Sequence, residues 1–598
     1  MAYSRSSPDV VSHRIAERRP WAGRLVGVAA VLAVAGAIVV AVARSGTESD
    51  CSGEPVSITV AAAPAQFPVL SGLGRSWNAT EPVLAGRCLA AVVVMKGSSE
   101  MAAALAPSWD TERDGPRPDV WVPDSTLWML VASSRPDTGP MIPGTATSIA
   151  SSPVVLAVRR PLAEALGWPE RDLGWTDVIG AFSQPETWSR LGHPEWSGLR
   201  FGMTDPTLST SGLAATLALL DTDADGELSD AELTAAVAFT QLLGSMAQDT
   251  TVYLNDQREA AAVEDPADGP AVAAFPVLER DIAAFNGTTP TMDLVPIYAE
   301  QATIVADFPF VILGAPWVDE TRYAAAELFR DFILGPEGQE AMAAEGFRRP
   351  DHTPADPERL PTGRGFRHTF AEPRRQPGPS AISQLIADWT ALQRQSNIIV
   401  LLDTSGSMVE GVPGTSRTRM QLLQETATTG FGLLNPDSKI GLWQFATNLT
   451  PTTDYRELVP YGPLSGTVGG VPRGQALVEA VQGLRAGGDT GLYDTVYAAF
   501  QEIQRHWEPN DTNAVLLITD GRNDDPGGGL SLEELLTRLR AEMRPERPTP
   551  VICIAVGPDA DAEALRQISA ATGGRTFVVR EAEAAVQTLI LAFAGRLR

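Results

Sequence analysis

Cysteine and histidine are scarce in this chain, and basic residues are outnumbered by acidic ones. Three cysteines in 598 residues exclude a scaffold built on disulfides. The five histidines (His13, His193, His352, His368 and His506) are scattered, and none has zinc-ligand spacing. Lys and Arg number 46 against 73 Asp and Glu, a net charge of −27 with a pI near 4.6, which speaks against nucleic-acid binding by the chain as a whole. No Gly-x-Ser-x-Gly elbow, P-loop or HExxH occurs. Gly466 to Gly474 holds four glycines but lacks the Lys-Ser/Thr ending of a phosphate loop, and reads as a flexible surface loop. With no catalytic constellation, the expectation is a binding protein and not an enzyme. What remains is ordinary globular material, 44% hydrophobic and 20% charged, with room for roughly two to four domains.

Charge and proline are missing altogether from Leu25 to Ala43 (LVGVAAVLAVAGAIVVAVA). At 1.5 Å per residue such a helix reaches roughly 28 Å, close to the hydrocarbon thickness of a bilayer. Residues 1–24 carry Arg5, Arg14, Arg18, Arg19 and Arg24, and acidic material follows the apolar run. The expectation is a basic cytoplasmic segment (1–24), one transmembrane helix (25–43) and an extracellular bulk anchored at the cell membrane. Ala41-Val42-Ala43 also fits a cleavage site, so a removed signal peptide is the rival reading. Cys51 and Cys88 would then face an oxidising compartment, where they can pair; two buried free thiols are the alternative. Cys553, in VICIAVG, reads as a small core residue.

Strand and helix patterns alternate after the anchor: VSITVAAA (56–63), LAAVVVMKG, PDVWVPDS, VVLAV (154–158), FGMTD (201–205), IVADFPFVIL as one return strand (304–313), and helical spacing over 324–347. This order, with FRDFILGPEGQEAMAAEGFR near its end, resembles the two-lobed type II extracellular solute-binding proteins of bacterial importers, over residues 55–350. The resemblance implies a small-molecule solute between the lobes. Ser209-Thr210-Ser211, before the helix that starts at Gly212, and Ser148, Ser151 and Ser152, before VVLAV, are candidate cleft residues; ordinary N-capping is the alternative reading of the first three. Trp121 and Trp128 suit either the cleft or the core.

Asp221-Thr-Asp-Ala-Asp-Gly-Glu-Leu-Ser-Asp-Ala-Glu232 fits the twelve-residue EF-hand loop. Asp221, Asp223 and Asp225 supply carboxylates, Glu227 a backbone carbonyl and Glu232 two oxygens, while Gly226 permits the sharp turn. Acids packed into one loop repel unless a cation joins them, so Ca²⁺ is expected here. Helices are expected on both sides, 212–220 and 231–246.

Residues 351–380, rich in Pro and Arg, read as a linker, and 381–598 as a further domain. Its strands are expected at 397–402, 439–445, 514–519, 550–556 and 575–580. Its helices are expected at 417–434, 491–506, 531–543, 561–571 and 581–595. That alternation implies a doubly wound, Rossmann-like α/β fold with a parallel sheet covered on both faces. The strand NIIVLL ends in Asp403-Thr-Ser405-Gly-Ser407; Thr490 precedes a helix; Asp520-Gly521 closes the buried strand AVLLIT. Carboxylates and hydroxyls at strand ends are ligands for a hard divalent cation. DTSGS, the distant Thr and the terminal TDG resemble the metal-ion-dependent adhesion site of von Willebrand factor A domains. The resemblance implies that Asp403, Ser405, Ser407, Thr490 and Asp520 hold Mg²⁺ (or Mn²⁺ or Ca²⁺), with one coordination position open to an acidic residue of a protein partner. Taken together, anchor, solute-binding-like domain and A domain resemble a group of actinobacterial membrane proteins. A solute receptor of a transport system, with the A domain as docking module, is the second reading.

Overall fold

The computed structural model describes residues 55–579 apart from 185, 221–228, 230–231, 233–234, 237–238, 241–242, 261–268, 290–292, 301–302, 413–414, 433, 436 and 557–560. The apolar run 25–43, Cys51, the loop residues Asp221, Asp223, Asp225 and Glu227, and the helix expected at 581–595 lie outside the described residues. No helix among the described residues is long and apolar enough to cross a membrane.

Three six-stranded sheets organise the described residues. The first orders Val83–Leu84, Arg87–Met95, Val56–Ala62, Val120–Val122, Pro309–Ile312 and Thr147–Ser148. The second orders Leu294–Ile297, Ser152–Arg159, Val272–Leu278, Arg200–Thr204 and Leu243–Ala247, with Val305–Ala306 pairing on Ser152–Arg159. The chain thus leaves the first lobe between Ser148 and Ser152 and returns between Ala306 and Pro309. The expected single return strand over 304–313 is therefore two, one in each sheet. Phe308, at φ +39°, makes the bend between them. Ser148 Oγ donates to Asp307 O at 2.6 Å and so ties the two crossing segments together.

The helix expected over 231–246 stops short. Leu243–Ala247 is a strand that pairs in parallel with Arg200–Thr204. Helical spacing favours continuation there, but pairing along the edge of the second sheet, beside Arg200–Thr204, overrides it.

The linker reading of 351–380 also fails. Leu360 and Phe366 are buried against the second sheet with Val155, Phe275 and Phe285, so this segment covers a face that would otherwise meet water. It is pinned from below by Arg348. That guanidinium, fully buried, grips Glu279 through two bonds of 2.6 Å and donates to the carbonyls of His352 and Arg367. The Pro379–Gln393 helix, assigned by sequence to the last domain, packs Ile382, Leu385 and Trp389 into the core of the first two lobes, against the Thr126–Ser133 helix. Three residues later the last sheet begins.

That sheet orders Tyr455–Pro463, Lys439–Phe445, Ser396–Asp403, Thr512–Thr519, Val551–Val556 and Thr576–Val579. All pairs are parallel except the first, an antiparallel edge. Alternate side chains of Ser396–Asp403 enter two different cores: Ile398, Val400 and Leu402 on one face, Ile399 and Leu401 on the other. Burial on both faces is what an unbroken NIIVLL run demands. The glycine-rich 466–474 segment is a small hairpin, Thr467–Val468 with Val471–Pro472, and not an open loop. Gly469 and Gly470 both have positive φ, as a two-residue hairpin turn requires.

Candidate metal centre and interlobe cleft

Ser396–Asp403 is the strand at which the order of the last sheet reverses: the next two strands of the sheet lie on one side of it, and the last three on the other. The carboxyl ends of strands open a crevice at such a point. Asp403 ends this strand and Asp520 follows its neighbour Thr512–Thr519, so chain geometry brings two acids together that lie far apart in sequence. Both are buried. Asp403 accepts from Ser405 N at 2.8 Å and from Thr519 Oγ1, and Ser405 Oγ lies 3.0 Å from Ser407 Oγ. The Thr490 loop is laced to the same turn: Gly406 N donates to Gly488 O and Gly487 N to Thr404 O, each at 2.8 Å. Thr490 itself is buried and exchanges backbone bonds with Asp524, beyond Asp520. Gly521 has φ +81°, a left-handed bend that turns the chain just after the acid.

Electrostatics mark the cluster. Burial first, and then the charge of Asp520, push the Asp403 carboxyl up to about 6, against the hydrogen bonds from Ser405 and Thr519. Asp520 Oδ1 is buried with no hydrogen-bond partner among the described residues. Oxygen-only donors, two acids and an orphaned carboxylate oxygen fit a hard divalent cation.

One residue here escaped the sequence reading. Arg419, the first residue of the Arg419–Gly432 helix, is buried with NH1 3.0 Å from Asp520 Oδ2 and NH2 2.9 Å from Glu410 Oε2. Nothing in its local pattern separates it from a solvated helix-start arginine. A second acidic group, Asp454, Asp494 and Asp525, has carboxylate oxygens within 4.8 Å of one another on the same domain and is half-buried. Those acids are spread over three segments, so no local motif flags them.

In the two-lobed part, Thr210 meets the opposite lobe: its Oγ1 accepts from Trp128 Nε1 at 2.8 Å and donates to Asp124 Oδ2 at 3.1 Å. Ser98 Oγ donates to the same Asp124 oxygen at 2.9 Å. Burial raises the Asp124 carboxyl above its ordinary range, and the Asp281 charge adds to that. Asp124 follows the strand Val120–Val122, the place where a cleft residue belongs in an open sheet, and the sequence reading passed over it. Gln66, at the start of the Phe67–Ala79 helix, is buried beside it, donating to Val122 O at 2.7 Å.

Ser211 is buried next to Thr210, and Ser209 Oγ accepts from Thr204 Oγ1 at 2.9 Å. Ser151 is not a cleft residue. It is fully buried at the lobe crossing and donates to Arg349 O at 2.7 Å, because that is where the chain must be held as it changes sheets. Trp121 and Trp128 are both core. Of the calcium loop, Ser229 and Glu232 are described: they form a reciprocal cap, Ser229 N donating to Glu232 Oε2 at 3.0 Å and Glu232 N to Ser229 Oγ at 3.3 Å.

Fold and clusters define the class: a two-lobed α/β domain followed by a doubly wound, mostly parallel α/β domain. Residues 58–348 match the family of bacterial extracellular solute-binding proteins, and residues 397–591 match the von Willebrand factor type A domain. The chain therefore joins a solute-binding domain to a von Willebrand factor A domain. It is 26% identical over 534 residues to uncharacterized proteins of two Mycobacterium tuberculosis strains, covering 88% of this chain and 74% of theirs. Among solved structures it is similar to a von Willebrand factor type A protein of Catenulispora acidiphila (18% identity, TM-score 0.25, 34% of this chain and 43% of that one). It is also similar to iron-bound HitA of Pseudomonas aeruginosa (14% identity, TM-score 0.37, 55% and 96%).

Proposed function

We propose that this chain is a binding protein whose A domain recognises a protein partner through a divalent cation. Asp403, Ser405, Ser407, Thr490 and Asp520 would hold the ion, Mg²⁺ or Mn²⁺ foremost. The ion would supply an electrophilic point charge for an acidic side chain of the partner. The observation that carries this reading is the convergence of Asp403 and Asp520 at the reversal point of the sheet, with one carboxylate oxygen left without a partner. The chain's own residues prepare the site: Thr519 and Ser405 orient Asp403, and the Gly406–Gly488 bond holds the Thr490 loop against the DTSGS turn.

Membrane anchoring through 25–43 would present both domains outside the cell. A Cys51–Cys88 disulfide would fasten the start of the first lobe to its Arg87–Met95 strand. Ca²⁺ in the 221–232 loop would clip the second lobe. Isothermal titration of the full chain with Mn²⁺, beside Asp403→Ala, tests the central claim: one site must disappear with the substitution while the folded state persists. Equal binding by both proteins overturns it.

A second reading, a solute receptor, is favoured by the meeting of Asp124, Ser98 and Thr210 across the lobes. Its mark would be solute-dependent closure of residues 55–350, weakened by Asp124→Asn.

A further inference from the structure

Arg419 places a fixed positive charge where the reading above places a metal, and this inference rests on that reading. Three observations meet at this side chain. It is buried, so its charge is not screened by solvent. It contacts Asp520 Oδ2 at 3.0 Å while Asp520 Oδ1 has no partner, so one carboxylate is shared between an internal cation and an open coordination direction. Its other terminal nitrogen already touches Glu410, whose side chain is 59% exposed, at 2.9 Å. The Glu410 carbonyl also accepts from Arg419 N at 2.9 Å, so the two residues stay together whichever way the guanidinium leans.

We propose that Arg419 is a tethered counter-cation of the metal centre, handed between Asp520 and Glu410, and that it sets the affinity of the site. An ion bound by Asp520 meets a like charge about 3 Å beyond the carboxylate, at an energy that low-dielectric surroundings magnify. Entry of the ion therefore weakens the Arg419–Asp520 contact, and Glu410 receives the displaced guanidinium. Arginine suits this position: it stays charged at every physiological pH and its planar fork serves two carboxylates at once. The consequence is a modest-affinity site that a metal fills only where divalent ions are plentiful. The domain keeps Asp520 compensated otherwise. Arg419 is a positioning residue, acting on the ion through Asp520.

The test uses the full chain, titrated calorimetrically with Mn²⁺, with Asp403→Ala as the reference from which other sites are subtracted. Arg419→Met should bind Mn²⁺ about tenfold more tightly than the wild type and melt lower in EDTA. Glu410→Gln, at an exposed position that does not threaten folding, should bind about threefold more weakly, because the displaced guanidinium loses its second acceptor. Unchanged affinity in Glu410→Gln, or weaker binding by a folded Arg419→Met, overturns the handover and leaves the metal centre standing. Absence of an Asp403-dependent site in the wild type and both variants overturns the metal reading, and the inference with it.

Discussion

Two carboxyls and one guanidinium decide the chemistry at the residue scale. Asp403 is held at about 6, above the ordinary 3.8, chiefly by burial. The folded chain then binds this proton more tightly than the unfolded one. The stability it brings is present in full below about pH 4 and is lost as pH rises through about 6, at a cost of about 3 kcal/mol above that. Urea unfolding in EDTA at pH 4.5 and 7.5 should therefore show a decline that Asp403→Asn flattens. If the proposed site binds a cation, the sign is opposite, because the ligand must be ionised: affinity should fall roughly tenfold per pH unit below 6. Arg348 is the other decisive residue. It and Glu279 are fully enclosed, and burial together with the Glu279 charge holds the Tyr298 hydroxyl far from ionising. Arg348→Met strands an acid in the core and should cost about 3–5 kcal/mol in denaturant unfolding. The role of Arg348 is not visible in the local sequence, which shows only an arginine near prolines.

Helices and strands were read well where their pattern was strong and poorly where a neighbour overrode it. NIIVLL became a doubly buried strand because no face of it can meet water. The Pro379–Gln393 helix carries apolar residues at helical spacing (Ile382, Leu385 and Trp389), yet its apolar face lies on the first lobe and not on the A domain that follows. Periodicity states that a helix has a face to bury and is silent on what covers it. Trp389→Ala should therefore destabilise the solute-binding domain by about 3–5 kcal/mol while amide exchange in the A-domain strands stays unchanged. The 351–378 cover was unreadable for a related reason. Its contacts are carbonyls, the ion pairs of Arg364 and Arg367 with Asp293 and Asp172, and a few apolar side chains (Leu360, Phe366 and Phe370), too widely spaced to form a pattern.

On the scale of the molecule, Thr210 bonds across the lobes, and the helix that carries Trp128 also packs on the Pro379–Gln393 helix, which ends three residues before the Ser396–Asp403 strand begins. Thr210→Val removes both cross-lobe bonds and leaves Trp128 Nε1 without this acceptor. We expect a loss of about 1–3 kcal/mol in the first domain and a larger radius of gyration by small-angle scattering. An unchanged radius would mean that the lobes are held by the shared core instead.

Sequence by itself determined the two domains and the doubly buried strand that ends in Asp403, because unbroken apolar runs and short polar turns are encoded by neighbours in the chain. Only the tertiary structure decided that Arg419 faces Asp520, that Ser151 serves the lobe crossing, that Asp124 joins Thr210, and that the 379–393 helix docks backwards. Each of those depends on which groups exclude water from one another across a hundred residues or across a lobe boundary, and no local pattern carries that information.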